Sequence, residues 1–413
     1  MRFILFVFLS LLFLLNRLNS YWLVRCGILI ALIFSTIFYL EACGKIKDTA
    51  RKSHLTTLPI SRHEKKQRER MIDSILSKYD TTKINGCFLI AANGDPFYCK
   101  CFGFENRVDS SLLHPHSIFQ LASVTKPFTA TAILQLCERG KIKLENKVIE
   151  YLPEFPFSDI TIKNLLNHTA GLLDYINDYY VFRNYFPKKE IFDNQDLLQL
   201  LIKNKHIFKP RTIPGVAHRY SNTGYAILAL IIEKVTGVSY EEYMRQNIFI
   251  PCEMQQTFVT RNIYRCNPQG IVQPYKSYVC NPKAHYDFLD GVVGDKGIYS
   301  TLYDVLKFDQ QLYQGKLVGD SLLKIAFLPS QSKNGHSINY GLGWRLDTHP
   351  NLGNIVYHRG FWNSYNPALF RYIDNKYTVI ILHNNTQDYS CTSILKDFGN
   401  VIGKNWIITP DSK

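Results

Sequence analysis

Ten consecutive residues, Phe119-Gln120-Leu121-Ala122-Ser123-Val124-Thr125-Lys126-Pro127-Phe128, set a hydroxyl and an amine one helical turn apart at the start of an apolar helix. Ser123 and Lys126 share a helix face. Pro127 falls in the first turn, where a missing N–H is tolerated, and the small, apolar run from Thr129 to Leu136 suits a buried helix. The hydroxyl therefore lies near the positive end of a helix dipole, which stabilises developing negative charge. A serine is a poor nucleophile at its own pKa and needs a base within hydrogen-bond reach. A lysine three residues on can be that base if burial lowers its pKa. Taken alone, the same spacing also fits a helix-starting serine followed by an exposed lysine, so the rest of the chain has to decide.

The chain has 413 residues, enough for one large two-lobed domain or two ordinary ones, and its 46% hydrophobic content supports a sizeable core. Ser61-Arg62-His63-Glu64 reads as a capping box opening a helix through about Lys78. Two apolar runs around Asn93-Gly94 predict a hairpin of Gly86–Ala92 and Pro96–Gly103. Helical patterns dominate from Lys143 to about Pro282. Within that lobe, Ile160–Leu172 predicts a short helix ending at Gly171, with His168 as a satisfied buried histidine fixing a loop rather than a base. The polar loop Tyr220-Ser221-Asn222 runs into an apolar helix. Beyond it, a helix over Leu302–Tyr313 precedes strands at Tyr340–Leu346, Ile355–Gly360, Ala368–Ile373 and Tyr377–His383, and Cys391–Ile402 reads as a closing helix. The sheet is thus expected from residues 61–120 and 290–402, with a helical lobe over about 127–290, a domain of 61–402 and a tail of 403–413.

The N-terminus carries two apolar runs, Phe3–Leu15 and Tyr21–Leu40; the first is too short to span a bilayer comfortably and the second is long enough. Residues 1–43 are expected to be a signal or membrane-anchor segment, either lipidated at Cys43 or retained as an uncleaved anchor. Residues 44–60 begin a basic tether, and much of the net charge of +14 sits between Lys45 and Arg70. No nucleic-acid motif accompanies that charge. Of ten cysteines, some outside the N-terminal segment are free to pair in an oxidising compartment. Cys99-Lys100-Cys101 lacks a matching pair at ligand spacing, so no metal site is expected, and no cofactor.

Three pieces stand in order: Ser123-Val124-Thr125-Lys126, Tyr220-Ser221-Asn222 and His358-Arg359-Gly360. Together with His168-Thr169-Ala170-Gly171, Pro214-Gly215 and Gly294-Asp295-Lys296-Gly297, they make the chain resemble the serine β-lactamase and penicillin-binding-protein superfamily in its class C-like branch. The resemblance implies an α/β (α+β), β-lactamase/transpeptidase-like fold, an antiparallel sheet flanked by helices with an inserted helical lobe. It makes Ser123 the acyl-forming nucleophile and Lys126 its proton acceptor or relay. Tyr220 would pass protons to the leaving group and activate the hydrolytic water; which of Lys126 and Tyr220 is the base stays open. Asn222 would orient Lys126 and touch a substrate amide, and the amides of Ser123 and Phe361 would form an oxyanion hole. The departure is His358, where β-lactamases carry lysine. Strand alternation is expected to turn His358 and Gly360 into the cleft and Arg359 away. With no fixed cation for a carboxylate, the reading favours a carboxylesterase or D-Ala-D-Ala-type peptidase, with β-lactamase or an inert cell-wall-peptide-binding member as alternatives. The expected partner is a small molecule or peptide, possibly cell-wall peptide, met in the cell envelope or periplasm by a membrane-tethered enzyme.

Overall fold

Asn93 and Gly94 have φ of 52° and 84°, the left-handed pair that a two-residue hairpin turn requires. They join β1 (Gly86–Ala92) to β2 (Asp95–Phe102). The computed structural model describes residues 62–78, 84–262, 270–275, 287–350 and 352–384, all within one compact unit, Ile60–Lys413. The first helix, α1 (Arg62–Leu76), precedes the hairpin. Four more strands, β3 (Arg345–His349), β4 (Gly353–Arg359), β5 (Ala368–Tyr372) and β6 (Tyr377–His383), come from the far end of the chain. They complete a six-stranded antiparallel sheet in the order β3-β4-β5-β6-β1-β2. The N- and C-terminal parts therefore meet at β1 and β6, in register from Gly86 opposite His383 to Ala92 opposite Tyr377.

Strand β1 is apolar throughout because both of its faces are covered. Cys87, Leu89 and Ala91 join the larger core, under the helices; Phe88, Ile90 and Ala92 join a smaller one with Ile72, Ile75 and Leu76 of α1. Full burial of such side chains contributes about 1.5–3 kcal/mol each. Cys87 faces Cys101 across β1 and β2, and the two form a disulfide.

Between the two groups of strands lies the helical region. Helix α2 (Thr125–Glu138) and helix α3 (Asn222–Thr236) pack on one another, α2 buried from Thr125 to Leu136 and α3 from Asn222 to Ile232. A helix apolar all round belongs in a core. Helix α4 (Leu302–Tyr313) lies on β6 and β1. Its Asp309 forms a wholly buried ion pair with Arg371 of β5 and accepts a hydrogen bond from Thr378, while the guanidinium lies 4.3 Å from the centre of the Tyr313 ring.

Two expected elements differ. The helix at Ile162–Leu166 stops five residues before Gly171, because Asn167 closes it and His168 itself turns left-handed, with φ of 58°. Tyr340–Leu346 is not one strand: extended pairing starts at Arg345. The Gly341–Gly343 stretch instead presses its backbone on its neighbours. A Cβ on Gly341 would meet the Ala326 carbonyl at 2.0 Å, and one on Gly343 would meet Ala130 at 2.4 Å. Among the described residues no helix is long and apolar enough to cross a membrane, and no cluster of His, Cys, Asp or Glu is arranged for a metal ion. The expected anchor with Cys43, the tether, the closing helix and the tail lie outside the described residues.

Candidate active site

Ser123 sits in a tight turn, Ala122–Val124, that leads straight into α2. Ala122 holds φ at 42°, a conformation that costs an L-residue about 1–3 kcal/mol and persists only where the surroundings impose it. One turn on, Lys126 is wholly buried, and its Nζ lies 2.9 Å from Ser123 Oγ, 2.7 Å from Asn222 Oδ1 and 3.0 Å from the Asp295 carbonyl oxygen. Burial lowers its pKa to about 8, against the opposing pull of the Asp295 and Asp174 carboxylates, and Arg345 lowers it further. About a tenth of the amine is then neutral at pH 7. In that form its two N–H bonds go to Asn222 and Asp295, and the lone pair is left facing the serine hydroxyl.

Asn222 opens α3 and is fixed at both ends. Its Oδ1 accepts from Lys126, and its Nδ2 donates to both oxygens of Asp174, at 3.2 and 2.9 Å. Orientation of Lys126 is thus its visible contact, rather than a free amide aimed at a substrate. Tyr220, two residues earlier, lines the cleft with Ser123, and burial raises its pKa far above 10.0, so its proton stays on through the neutral range.

Behind Tyr220 runs a chain of polar groups whose proton positions follow from their partners. The Ser221 N–H donates to His168 Nδ1 at 3.2 Å, so the His168 proton is on Nε2, 3.1 Å from the Tyr340 hydroxyl. At the other end, His358 Nδ1 must donate to the Arg359 carbonyl at 2.9 Å, so its Nε2 accepts from Tyr340 at 3.0 Å. Both imidazoles are neutral, and burial holds both well below the usual histidine pKa. His168 is the buried, loop-fixing histidine that its sequence context suggests.

Gly360 lines the cleft as expected, but His358 and Arg359 are exchanged relative to the expectation. His358 is 0% exposed and faces this chain, while Tyr357 and Arg359 line the cleft. Alternation along β4 holds, with His358 turned to the buried groups behind Tyr220 and Arg359 open to the cleft. A second arginine, Arg345 at the start of β3, lies 5.3 Å over the Tyr220 ring and lines the same cleft. The cleft, ≈ 690 Å³, also takes in Ser123, Asn222, Lys296, Phe361 and Trp362. At Gly360 a Cβ would stand 2.8 Å from the Ser123 nitrogen and from Ala122 Cβ, so the strand end packs directly on the serine turn. The next residue, Phe361, is 60% exposed at the cleft mouth.

Residues 72–394 match the family described as Beta-lactamase. The chain belongs to that family. Among its members, this beta-lactamase-family protein is 35% identical over 344 residues to penicillin-binding protein 4* of Bacillus subtilis, covering 80% of this chain and 74% of that one. It is 30% identical to the putative penicillin-binding protein PbpX of the same organism, covering 83% and 78%. Its fold superposes on the octameric penicillin-binding protein homologue of Pyrococcus abyssi with a TM-score of 0.68 at 23% identity, covering 82% of this chain and 78% of that one. Family membership makes it a serine-hydrolase-type enzyme for amide or ester bonds. Several residues of the site escaped the sequence reading; Arg345 and Tyr340 were read only as parts of a strand. Asp295 and Lys296 stood in a stretch already singled out, but without a role. Asp174, just past the turn at Gly171, is marked only by being an acid within an otherwise apolar and small-residue run.

Proposed function

We propose that the protein is a serine hydrolase that forms an acyl-Ser123 intermediate on the amide bond of a peptide ending in a free carboxylate, a D-Ala-D-Ala-type carboxypeptidase. The observation that carries this is the Lys126 amine, buried and held by two acceptors so that its third direction meets Ser123 Oγ at 2.9 Å. Neutral Lys126 takes the hydroxyl proton as Ser123 Oγ bonds to the carbonyl carbon. The oxyanion forms between the amides of Ser123 and Phe361, where each donor supplies about 10²–10³ in rate. Tyr220, which keeps its proton, hands it to the departing amine, and a water then cleaves the ester by the reverse relay. Lys126 rather than Tyr220 is the base in this reading, because its pKa lies closer to neutral.

Arg345 and Arg359 supply the cation that His358 does not. Both line the cleft, and a guanidinium pairs a carboxylate through two parallel hydrogen bonds. This favours a carboxylate-bearing peptide over a neutral ester. The names of the two Bacillus relatives support the same class, since a penicillin also carries a carboxylate beside its reactive amide. For that reason β-lactam hydrolysis is the second reading. A cell-wall stem peptide as substrate would place the domain in the cell envelope, and the Cys87–Cys101 disulfide fits an oxidising compartment.

The test is intact-protein mass spectrometry after separate incubation with a fluorophosphonate, a fluorescent penicillin and a short-chain nitrophenyl ester, followed by turnover of a D-Ala-D-Ala peptide and a cephalosporin. A covalent adduct on Ser123 and release of D-alanine support the proposal. Peptide left intact while cephalosporin is consumed would move the assignment to β-lactamase.

A further inference from the structure

We infer that Asp174 is a positioning residue for the acyl-transfer step, acting through Asn222 to hold Lys126 against Ser123. The inference rests on the reading of Ser123 as nucleophile. An asparagine side chain beside a lysine has two faces, and only the one with oxygen toward the amine holds it. Nothing in Asn222 itself makes that choice. Asp174 makes it, since a carboxylate only accepts and both its oxygens take the Asn222 Nδ2, at 3.2 and 2.9 Å. The same carboxylate accepts the Asn222 backbone N–H at 3.0 Å and so fixes the first residue of α3. Three further donors, the backbone N–H groups of Ile176 and Asn177 and the Asn177 side chain, hold the acid in place at 2.8–3.1 Å. Asp174 is 2% exposed and is not among the residues that line the cleft, whereas Asn222, Ile176 and Asn177 are.

The acid also carries charge. Lys126 is faced by the carboxylates of Asp295 and Asp174, by the cations of Arg345 and Lys296, by the neutral His168 and His358, and by the rings of Tyr220 and Tyr225 at 5.0 and 5.5 Å. Removing the negative charge of Asp174 makes the ammonium form harder to keep, so the amine loses its proton at lower pH. Loss of orientation and loss of charge therefore leave separate marks: the first lowers the limiting rate, the second moves the pH at which the rate is reached.

The experiment is the rate of Ser123 labelling by a fluorophosphonate between pH 5.5 and 10 in the full chain, for wild type, Asp174→Asn, Asp174→Glu, Asn222→Ala and the combined variants. Asp174→Asn is expected to lower the limiting rate at least about tenfold and move the acidic limb down by about half a pH unit or more. Asp174→Glu keeps the charge, so its limb stays in place while its limiting rate falls. In the Asn222→Ala background either change at Asp174 should cost less than about twofold, the mark of a residue acting through another. An unmoved limb in Asp174→Asn, or costs that simply multiply with Asn222→Ala, would overturn the inference. Should Asp174→Asn not fold, the cycle of Asp174→Glu with Asn222→Ala decides alone. Wild type that fails to label at Ser123 removes the functional reading instead.

Discussion

The Tyr340 hydroxyl stands 3.0 Å from His358 Nε2, and because the other His358 nitrogen donates to a carbonyl, the contact requires a neutral imidazole. A charged His358 would turn an N–H toward a hydroxyl already used as a donor, beside Lys126 and Arg345. His358 is thus a fixed acceptor in the frame behind Tyr220.

The acid stability of the protein follows from this. His168, His358 and His383 are all buried, and burial depresses the pKa of each, that of His383 to about 3. A histidine whose folded pKa lies below its unfolded value of 6.5 leaves the unfolded chain holding more protons as pH falls. The contribution of these three imidazoles is therefore constant above about pH 7 and is lost below 6.5, at about 1.4 kcal/mol per pH unit for each of the three, or about 4 kcal/mol per unit together. Urea unfolding midpoints at pH 7.5, 6.5, 6.0 and 5.5 measure it; a flat profile would mean that these imidazoles take up protons in the fold.

Much of this frame is legible in the residues, and the failures have physical causes. The Asn93-Gly94 turn, the strand Tyr377–His383 and the helix Leu302–Tyr313 follow from local chemistry and patterning, and all three stand where they are expected. The Ser123–Lys126 contact is also local, a single helical turn. What sequence does not carry is the direction of a strand face when both faces are covered. His358 and Arg359 alternate as any strand does, yet nothing in the chain says which side is the cleft. Asp174 was hidden for a related reason: its partner Asn222 is 48 residues away, and the contact exists only once two loops meet. The Gly341–Gly343 stretch reads as strand because its apolar neighbours alternate, while its glycines answer to close contacts with Ala326 and Ala130.

On the proposed mechanism, in which neutral Lys126 is the base, labelling of the wild-type serine should rise with pH through about 8. Below that pH the rate is expected to fall about tenfold per unit. Ser123→Ala should abolish labelling and leave stability within about 1 kcal/mol, as for a cleft residue outside the core. A labelling rate independent of pH from 6 to 9 would exclude Lys126 as the base.

The Asp309–Arg371 pair does not line the cleft and tests the fold. Both side chains are 0% exposed, so Asp309→Ala leaves a guanidinium without its counter-charge under α4. The expected loss is about 3–5 kcal/mol, read from urea unfolding. Replacing both residues by apolar ones should cost less than the single change, since it removes the stranded charge.

Gly360→Ala should separate the strand end from the serine turn. The new Cβ would meet Ser123 N and Ala122 Cβ at 2.8 Å and the Leu121 carbonyl at 2.9 Å, two of them backbone atoms that cannot rotate away. A shift of even a few tenths of an ångström moves Phe361 relative to Ser123. Acylation is expected to drop at least about 10²-fold, the scale of losing one oxyanion donor. Unchanged labelling would show that the two backbones are free to part without cost to the site.

The last prediction concerns the two arginines. Arg345 and Arg359 reach one cleft from adjacent strands, and a carboxylate bound between them would exchange water for two planar, charge-matched donors. A substrate with an amidated C-terminus offers nothing to pair, and each guanidinium would then keep its water. Arg359→Ala and Arg345→Ala should therefore each lower kcat/KM for a peptide with a free carboxylate by at least about tenfold, roughly 1.4 kcal/mol, while the amide-capped peptide changes less than about twofold. Arg345 also lies over the Tyr220 ring and lowers the pKa of Lys126, so its loss should move the pH profile upward as well. Arg359 contributes no such effect on Lys126, and its variant should change KM alone. Equal losses on the free and capped peptides in both variants would show that the arginines hold the cleft together instead of reading the carboxylate, and the neutral-ester assignment would then be the better one.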